Sequence, residues 1–295
     1  MLRARSSSLL VAIGVVLALF GAACSDDDEP TAASAAPSEA PAEPSPSAPP
    51  PSPTQAPVVQ PVRLWLTLEE FTGLTVRQAE VTPPRFATAA VTELLKGPNQ
   101  SETSNGWGTA IPAGSELLGI GLSNGVATVD LSGEFESGGG SLSARMRLAQ
   151  LVYTLTEFRT IQSVALEIEG EPVTTFSSEG IAIDGPMTRE DFEDLVAPII
   201  VETPIAGQRV TSPVRVSGNA NVFEANVSIE ILVGDETAAA TFVTATCGTG
   251  CRGTYSKNVR FQVPEEVEAV IRVFEASAQD GSPLHVVSVP VTLAP

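Results

Sequence analysis

The chain has 295 residues, which is enough for about two ordinary domains. Its 35 acidic residues outnumber its 16 basic residues, giving a formal net charge of −19. Lysine and arginine form no cluster along the chain, so the charge disfavours nucleic acid as a partner and disfavours direct binding to anionic lipid headgroups.

Residues 1–23 have the organisation of a secretory signal peptide. Arg3 and Arg5 precede an apolar run over 9–20, and small residues follow it. The run is shorter than the roughly 20 residues that a membrane-spanning helix needs. The small residues that end in Cys24 resemble a bacterial lipobox, whose cysteine becomes the first mature residue and carries lipid. Ordinary signal cleavage with an incidental Cys24 is the alternative.

Residues 24–57 are predicted to be a disordered tether. After a short acidic stretch, the composition is almost wholly Pro, Ala, Ser, Glu and Thr, with no apolar periodicity. Its prolines favour extended polyproline II, which rises about 3.1 Å per residue and could lift a folded module by up to about 90 Å. A lipid on Cys24 and this tether would together hold the protein at the outer face of the cytoplasmic membrane.

Predicted strands and helices alternate over residues 58–196, which indicates a compact domain of the α/β or α+β class. An Asn124-Gly125 pair between two of the strands is a strong hairpin signal, and Thr188 to Asp191 resembles a capping box. The predicted strands cover 62–67, 116–122, 126–131, 164–168 and 172–176. The predicted helices start at Thr82, at Ser141 and after Thr188. We expect Ser141 to be the N-terminal cap of its helix.

Residues 197–295 are predicted to form an immunoglobulin-like β-sandwich. Roughly seven short strands in about a hundred residues are typical of that architecture. The buried tryptophan and the inter-sheet cysteine pair of antibody domains are not present in the sequence pattern. The clearest predicted strands cover 214–218, 227–232, 240–246, 255–263, 270–277 and 286–293.

Short sequence words in both halves resemble two families of bacterial envelope proteins. The first half resembles the GerMN domain of envelope lipoproteins, named for sporulation and germination, through Leu94-Leu95-Lys96-Gly97-Pro98, Ala110-Ile111-Pro112, 125–132 and 151–156. The second half resembles the Gmad-type immunoglobulin-like domain, through Glu202-Thr203-Pro204, Ser212-Pro213, 222–225, 274–277 and Asp280-Gly281-Ser282. The resemblance covers nearly everything after the tether. It implies a non-catalytic module that binds or scaffolds other envelope proteins.

Catalytic groups are scarce in the sequence. His285 is the single histidine, and no Gly-x-Ser-x-Gly elbow exists to expose a nucleophile. Asp130 and Glu134 are spaced like a carboxylate pair, but a glycosidase needs two carboxyl groups that face across a cleft. We expect His285 to be a strand-end residue and Asp130 to bond backbone in a turn, so the chain is not predicted to be an enzyme.

No metal ion or cofactor is expected. The acidic residues 26–29 lack the spaced ligands and the glycine turn of an EF-hand loop. The glycines at 138–140 are predicted to be a flexible connector rather than a phosphate-binding loop.

Aromatic residues bear on whether the chain binds wall glycan, because sugar sites stack sugars on exposed rings. Trp107 lies in a predicted loop and is either a lid over the core or a contact residue, whereas Trp65 and Tyr153 are predicted to be core. Phe223 and Phe274 are both predicted to pack inside the sandwich, with the glutamates beside them as surface charges or as acceptors for loop N–H groups.

Cys247 and Cys251 are predicted to form a disulfide. Export places them where disulfides persist, and lipid on Cys24 removes the odd thiol. Two thiolates are too few for structural zinc, and a redox pair would be expected near a helix start. The pair lies between two predicted strands, so we expect a hairpin staple that contributes about 2 kcal/mol.

The sequence therefore predicts an exported, lipid-anchored, two-domain envelope protein that recognises or scaffolds other envelope proteins. A module that binds peptidoglycan or another wall glycan is the alternative. An envelope hydrolase is a weaker rival.

Overall fold

The computed structural model describes residues 59–68, 72–82 and 85–295. The predicted signal peptide, Cys24 and the predicted tether lie outside these residues. From residue 59 onward the described chain belongs to one compact unit. We call residues 59–196 the first domain and residues 197–295 the second domain.

The described residues of the first domain form three helices and nine strands. Its three-stranded sheet has the order β2-β1-β3, its four-stranded sheet has the order β4-β5-β6-β7, and β8 pairs with β9. The bounds are β1 (Gln60–Leu68), β2 (Leu74–Val81), α1 (Phe86–Leu95), α2 (Gln100–Ser104), β3 (Trp107–Gly108), β4 (Leu117–Ser123), β5 (Val126–Leu131), α3 (Ser141–Leu155), β6 (Ser163–Ile168), β7 (Glu171–Pro172), β8 (Thr175–Phe176) and β9 (Ile181–Ala182), with 3-10 turns at Gly133–Glu136 and Arg189–Leu195.

Helix α3 is the centre of the first domain. It connects the parallel strands β5 and β6, and eleven of its fifteen residues are buried. It contacts β1 of one sheet, β6 of the other sheet, and helix α1. An ordinary surface helix buries one apolar stripe and exposes the rest to solvent. Helix α3 is buried on nearly every side, so both sheets and α1 are needed to cover it.

The predicted hairpin is present as β4 and β5. Asn124 and Gly125 both have positive φ, at 50° and 81°, as the two central residues of a type I′ turn require. The sequence reasoning missed β2, and it placed the first helix start at Thr82, whereas α1 begins at Phe86. Ser141 is the first residue of α3 rather than its cap, which is Gly140; the Ser141 hydroxyl instead donates to Glu179.

The second domain is a sandwich of two sheets. One sheet has the order β10-β12-β15 and the other has the order β11-β17-β16-β13-β14. Alternate residues of β12 and β13 are buried, as expected where one face of each sheet packs on the other. The bounds are β10 (Ile199–Thr203), β11 (Gln208–Thr211), β12 (Val214–Ala220), β13 (Asn226–Val233), β14 (Glu236–Thr244), β15 (Gly253–Val259), β16 (Val267–Ala276) and β17 (Pro283–Ala294), with a 3-10 turn at Phe223–Ala225.

The prediction that both phenylalanines pack inside the sandwich was wrong. Phe223 is 50% exposed, because it lies in the turn between β12 and β13 rather than on a strand. Phe274 is buried, but it lies opposite Ser228 and beneath the Arg272 guanidinium, on the outer face of β16. The expectation about the glutamates was right for Glu275, whose carboxylate accepts a hydrogen bond from the Phe223 backbone N–H at 2.9 Å.

Candidate functional site

A cleft of about 890 Å³ lies between the two domains. Residues of β1, of the end of α3 and of the 3-10 turn Arg189–Leu195 form its first-domain side. The second-domain side comes from the chain around Pro198 to Glu202 and from the loops that carry Asn221 and Cys251. Clefts at domain interfaces are common binding sites, so this cleft is the candidate functional site.

The floor of the cleft is an aromatic pair beneath an arginine. The Trp65 and Tyr153 rings lie 4.8 Å apart between centroids, and the Arg189 guanidinium lies 4.8 Å from the centroid of Tyr153. Glu157 accepts hydrogen bonds from the Trp65 indole at 3.0 Å and from Arg189 at 2.6 Å. Burial raises the pKa of Tyr153. The floor is therefore fixed by packing, by cation–π contact and by charge-assisted hydrogen bonds.

One arginine ties the two domains together across the cleft. Arg63 of β1 donates to Glu202 of β10 at 2.9 Å and lies 3.6 Å from Glu157. Glu202 also accepts from the Asn219 side chain at 3.2 Å. Because Arg63 bridges a carboxylate in each domain, this ion-pair network holds the cleft walls at a set spacing.

The Cys247–Cys251 disulfide lies at the rim of the cleft. The structure has a bond between these cysteines, with their Cα atoms 5.8 Å apart. The next residue, Arg252, donates to the Ala197 carbonyl at 2.9 Å and to Asn219 at 3.0 Å. Burial lowers the pKa of Arg252. The disulfide loop is thereby attached to the segment that joins the two domains.

The expectation that the disulfide staples a hairpin was wrong, as the two strands beside its loop show. β14 and β15, which flank the loop, lie at the edges of different sheets. The loop crosses from one sheet to the other, and Thr246 and Thr254 connect its two ends through their backbone groups at 2.9 Å. The disulfide therefore closes a crossover loop.

Carboxylates give the cleft an acidic side. Asp194 accepts two hydrogen bonds from Arg145 at 2.9 Å, which lowers the pKa of Asp194. Glu190 and Glu193 are exposed, and neither has an ion-pair partner in the described part of the chain. Glu193 interacts electrostatically with the Arg252 guanidinium without a direct ion pair. The cleft thus offers two carboxylates that form no direct ion pair, above a paired, rigid floor.

Trp107 lies away from the cleft, at a second contact between the domains. It is 4% exposed, and its indole N–H donates to the Ser288 carbonyl of β17 at 2.8 Å. It forms part of β3 rather than a loop. Cys24, the predicted lipidation site, lies outside the described residues.

The candidate catalytic residues are dispersed. The His285 imidazole lies 3.6 Å from Glu275, while Ser282 donates to Asp280 at 2.7 Å. Asp130 accepts from the Gly170 backbone N–H at 2.9 Å, so it bonds backbone as expected, but in the turn between β6 and β7 rather than in its own turn. Among the described residues, no group of three or more His, Cys, Asp or Glu is arranged to hold a metal ion. None of the described helices is both long and apolar enough to cross a membrane.

The arginines that organise the cleft were missed by sequence reasoning. Arg63 is a polar position in an alternating strand, and Arg189 lies inside the predicted capping box, so neither position is unusual by itself. Arg252 follows Cys251 directly, and this adjacency was the one available signal. Their common role depends on the way in which the two domains pack.

Comparison with known proteins gives a family for each domain. The Germane family, described as sporulation and spore germination, matches residues 65–174. The Gmad2 family, an immunoglobulin-like domain of bacterial spore germination, matches residues 198–282. No curated protein matches the sequence.

Similar solved structures include the tandem GerMN domains of the sporulation protein GerM from Bacillus subtilis, with 15% identity, 80% of this chain and 61% of that chain covered, and a TM-score of 0.38. The first GerMN domain of the same protein has 22% identity and a TM-score of 0.36, and the match covers 45% of this chain and 99% of that domain. A candidate lipoprotein from Clostridium perfringens has 17% identity and a TM-score of 0.33, and the match covers 48% of this chain and 95% of that protein. This chain spans about three fifths of the length of the tandem structure.

Proposed function

Because residues 65–174 match the Germane family of sporulation and spore germination and residues 198–282 match the Gmad2 family, we propose that the chain is a non-catalytic recognition protein of the cell envelope. Its cleft between the domains receives a polar, basic segment of another envelope protein. The observation that carries this proposal is the pair of open carboxylates, Glu190 and Glu193, above a floor whose own charges are already paired.

The paired floor favours binding over chemistry. A general acid or base needs a proton-transfer group that can reach a substrate, whereas Glu157 and Arg189 are bound to each other at 2.6 Å. Open carboxylates at a rim attract cations and steer a basic segment toward the cleft. Rigid walls reduce the entropy lost on binding.

Incorporation of a photoreactive residue at position 193 of the full-length chain tests this proposal. In intact cells we expect light-dependent adducts with an envelope protein, and we expect Glu190→Lys to reduce them. The matched control is position 265, which is an exposed glutamate outside the cleft. Equal capture at both positions, or capture that persists undiminished in the Glu190→Lys chain, would count against the cleft.

Binding to wall glycan is the alternative that the aromatic residues disfavour. The chain has two tryptophans and two tyrosines, and Trp65, Trp107, Tyr153 and Tyr255 are each 4–5% exposed. None of these four rings is available for stacking on sugar, and the exposed aromatic side chains of the described residues, Phe223 and Phe242, carry no polar group that could bind sugar hydroxyls. We expect the protein to stay in the supernatant when purified peptidoglycan is pelleted, and co-pelleting would support the glycan alternative.

Lipid anchoring through Cys24 is the second part of the proposal, and the short apolar run and the small residues before Cys24 support it. The chain would then be held at the extracytoplasmic face of the cell membrane. Replacement of Cys24 with alanine should release the protein from the membrane fraction. A Cys247→Ala and Cys251→Ala double variant is the control, and unchanged membrane association of the Cys24→Ala chain would refute the anchor.

A further inference from the structure

Strand β4 is an edge strand without the usual protection against pairing. Among the described residues it hydrogen-bonds only with β5, on one side, and it ends the order β4-β5-β6-β7. Edge strands are commonly blunted by charged residues or proline, but β4 reads Leu-Leu-Gly-Ile-Gly-Leu-Ser and has neither. Its one irregularity is a bulge between Leu117 and Gly119, at the start of the strand. From Gly119 to Ser123 the strand is regular and its outer edge is open.

An apolar groove runs beside this open edge. It has a volume of about 650 Å³ and lies between β4, the start of α1 and the chain around Phe158. Leu118 is 52% exposed and Leu122 is 54% exposed, and both line the groove. Within the described part of the chain, Arg85 is the one charged residue in the lining. In a chain of net charge −19, this is a surface on which two copies can meet without carboxylates facing each other.

The sequence of β4 is self-complementary. Residues 118–122 read Leu-Gly-Ile-Gly-Leu, which is the same in both directions. When two such strands pair antiparallel with Ile120 opposite the partner's Ile120, Leu118 lies opposite the partner's Leu122 and each glycine lies opposite a glycine. Glu116 then lies opposite the partner's Asn124, so the ends of the strands bring no like charges together.

Neither glycine of β4 is required by close packing among the described residues, since a Cβ atom at Gly119 would come no nearer than 4.0 Å to Asp130. A Cβ atom at Gly121 would meet nothing within 4 Å, and neither Gly119 nor Gly121 is among the residues with positive φ. Glycine weakens a strand interior and often marks the close approach of another backbone. A second copy that pairs on this edge supplies that approach.

We propose that two copies of the chain join through β4, in an antiparallel pair centred on Ile120. The two four-stranded sheets become one eight-stranded sheet, and the leucines of each copy cover the groove of the other. The interface has two-fold symmetry and is closed, as in most homodimers. This surface is separate from the cleft between the domains. An experiment that contradicts the dimer would therefore leave partner recognition in the cleft untouched, and the reverse also holds.

Disulfide trapping in the full-length chain tests both the dimer and its register. Cysteine at position 120 should give a covalent dimer on a non-reducing gel, since opposed Cα atoms in an antiparallel pair lie about 4.5–5.5 Å apart. Leu118→Cys alone and Leu122→Cys alone should not, because each residue lies roughly 13 Å along the strand from its own copy. Co-expression of these two variants should restore the covalent dimer.

Introduction of positive charge on this surface gives an independent readout. Leu118→Lys with Leu122→Lys should lower the dimer fraction about tenfold, because edge lysines oppose strand addition. Both side chains are more than half exposed, so the melting temperature should change little. Phe242→Lys is the matched control: Phe242 is 62% exposed on the edge strand β14, and its substitution should leave the dimer intact.

Three results would overturn the proposal. One is a cysteine at position 120 that reacts with a maleimide but forms no dimer. Another is trapping by Leu118→Cys alone that equals trapping at position 120. The last is exclusive trapping of a different protein at position 120, which would assign the open edge to a foreign strand.

Discussion

The Trp107 indole N–H donates to the Ser288 carbonyl at 2.8 Å, so a side chain of the first domain is hydrogen-bonded to a strand of the second. Trp107 is buried and lies next to the edge of β1, where Gly108 pairs with Thr67. This contact and the Arg63 to Glu202 ion pair lie at separate places on the junction. Two separate contacts restrain rotation of one domain against the other, which keeps the cleft walls in a fixed relation.

Truncation of Trp107 tests its role in holding the two domains together. We expect Trp107→Ala to lower the free energy of unfolding by about 3–5 kcal/mol, because a large buried side chain is lost. Trp107→Phe should cost about 1–3 kcal/mol, since it leaves the Ser288 carbonyl without its donor. Urea denaturation measures both. Unchanged stability of Trp107→Ala together with lost partner capture would instead make Trp107 a contact residue.

The control for Trp107 is Phe242, an aromatic residue that is exposed on β14. Phe242→Ala should change the free energy of unfolding by no more than about 0.5 kcal/mol. A comparable loss in Phe242→Ala would show that the urea experiment does not distinguish junction packing from general effects of aromatic truncation.

Arg147 is a structural arginine that the sequence did not reveal. It is 1% exposed in the middle of α3, and its guanidinium donates to the carbonyls of Ala110, Phe135 and Gly138. Burial lowers the pKa of Arg147. Its three backbone acceptors come from the loop before β4 and from the segment between β5 and α3, so it fixes both loops to the central helix.

Arg147 and Arg145 give a matched pair of substitutions on one helix. Arg147→Met should lower the free energy of unfolding by about 3 kcal/mol or more, because buried carbonyls lose their donor. Arg145→Met should cost no more than about 1 kcal/mol, since its ion pair with Asp194 is partly solvent-exposed. Chemical denaturation at neutral pH measures both. Equal losses would contradict a special role for Arg147.

Local signals predicted the local structure well. The Asn124-Gly125 pair specified the turn between β4 and β5, and the Thr188 capping box is present, with the Asp191 carboxylate accepting from the Thr188 backbone N–H at 2.7 Å. Both devices act within four residues, so the information that determines them is contiguous in the sequence. The same holds for the alternation of β12.

Signals that depend on distant packing were misjudged or missed. A loop with two glycines between two strands has the same composition whether it closes a hairpin or crosses between sheets, so the loop at Cys247 was assigned to the wrong type. Arg147 was overlooked because its acceptors are carbonyls contributed by separate loops. The cleft itself arises only when the two domains pack, and neither domain's sequence pattern contains it.

Because Tyr255 is buried, we expect the folded protein to lose stability at high pH. Its hydroxyl donates to the Ile200 carbonyl at 3.0 Å, and burial raises its pKa far above the ordinary value. Above pH of about 10 the unfolded chain loses the tyrosine proton while the native state keeps it. The native state then binds more protons, so stability falls as pH rises, by roughly 1.4 kcal/mol per pH unit.

Tyr255→Phe separates this effect from general alkaline denaturation. At pH 7 the variant should be about 1 kcal/mol less stable than the parent, because one hydrogen bond is lost. The difference should shrink between pH 10 and pH 11, since the variant lacks the ionising hydroxyl. Tyr153, whose pKa is also raised by burial, is present in both proteins and cancels. A difference that stays constant with pH would contradict the prediction.

Gly218 explains how the Tyr255 hydroxyl reaches across the sheet. Gly218 pairs with Tyr255 on one side and with Val201 on the other. A Cβ atom at Gly218 would overlap the Ile200 carbonyl oxygen and would lie 2.9 Å from the Tyr255 hydroxyl. The ring therefore crosses a strand at the one residue type that leaves room for it.

The disulfide loop gives the last prediction. Cys247→Ser with Cys251→Ser should lower the free energy of unfolding by about 2 kcal/mol, because a five-residue ring restricts the unfolded chain only modestly. The second domain should stay folded, since the loop keeps other contacts, including the Thr249 N–H to the Val222 carbonyl and the Gly250 N–H to Asn221, both at 2.9 Å. Denaturation with and without a reducing agent measures the loss.

The reducing agent should affect the parent and leave the double serine variant unchanged, which separates the disulfide from general effects of the reagent. Because Arg252 attaches the loop to the Ala197 carbonyl, loss of the disulfide should also reduce photo-capture at position 193 while the domain stays folded. Two titratable thiols in the unreduced, exported protein would contradict the bond. Capture that is unchanged by its removal would show that the loop closes the sandwich without shaping the cleft.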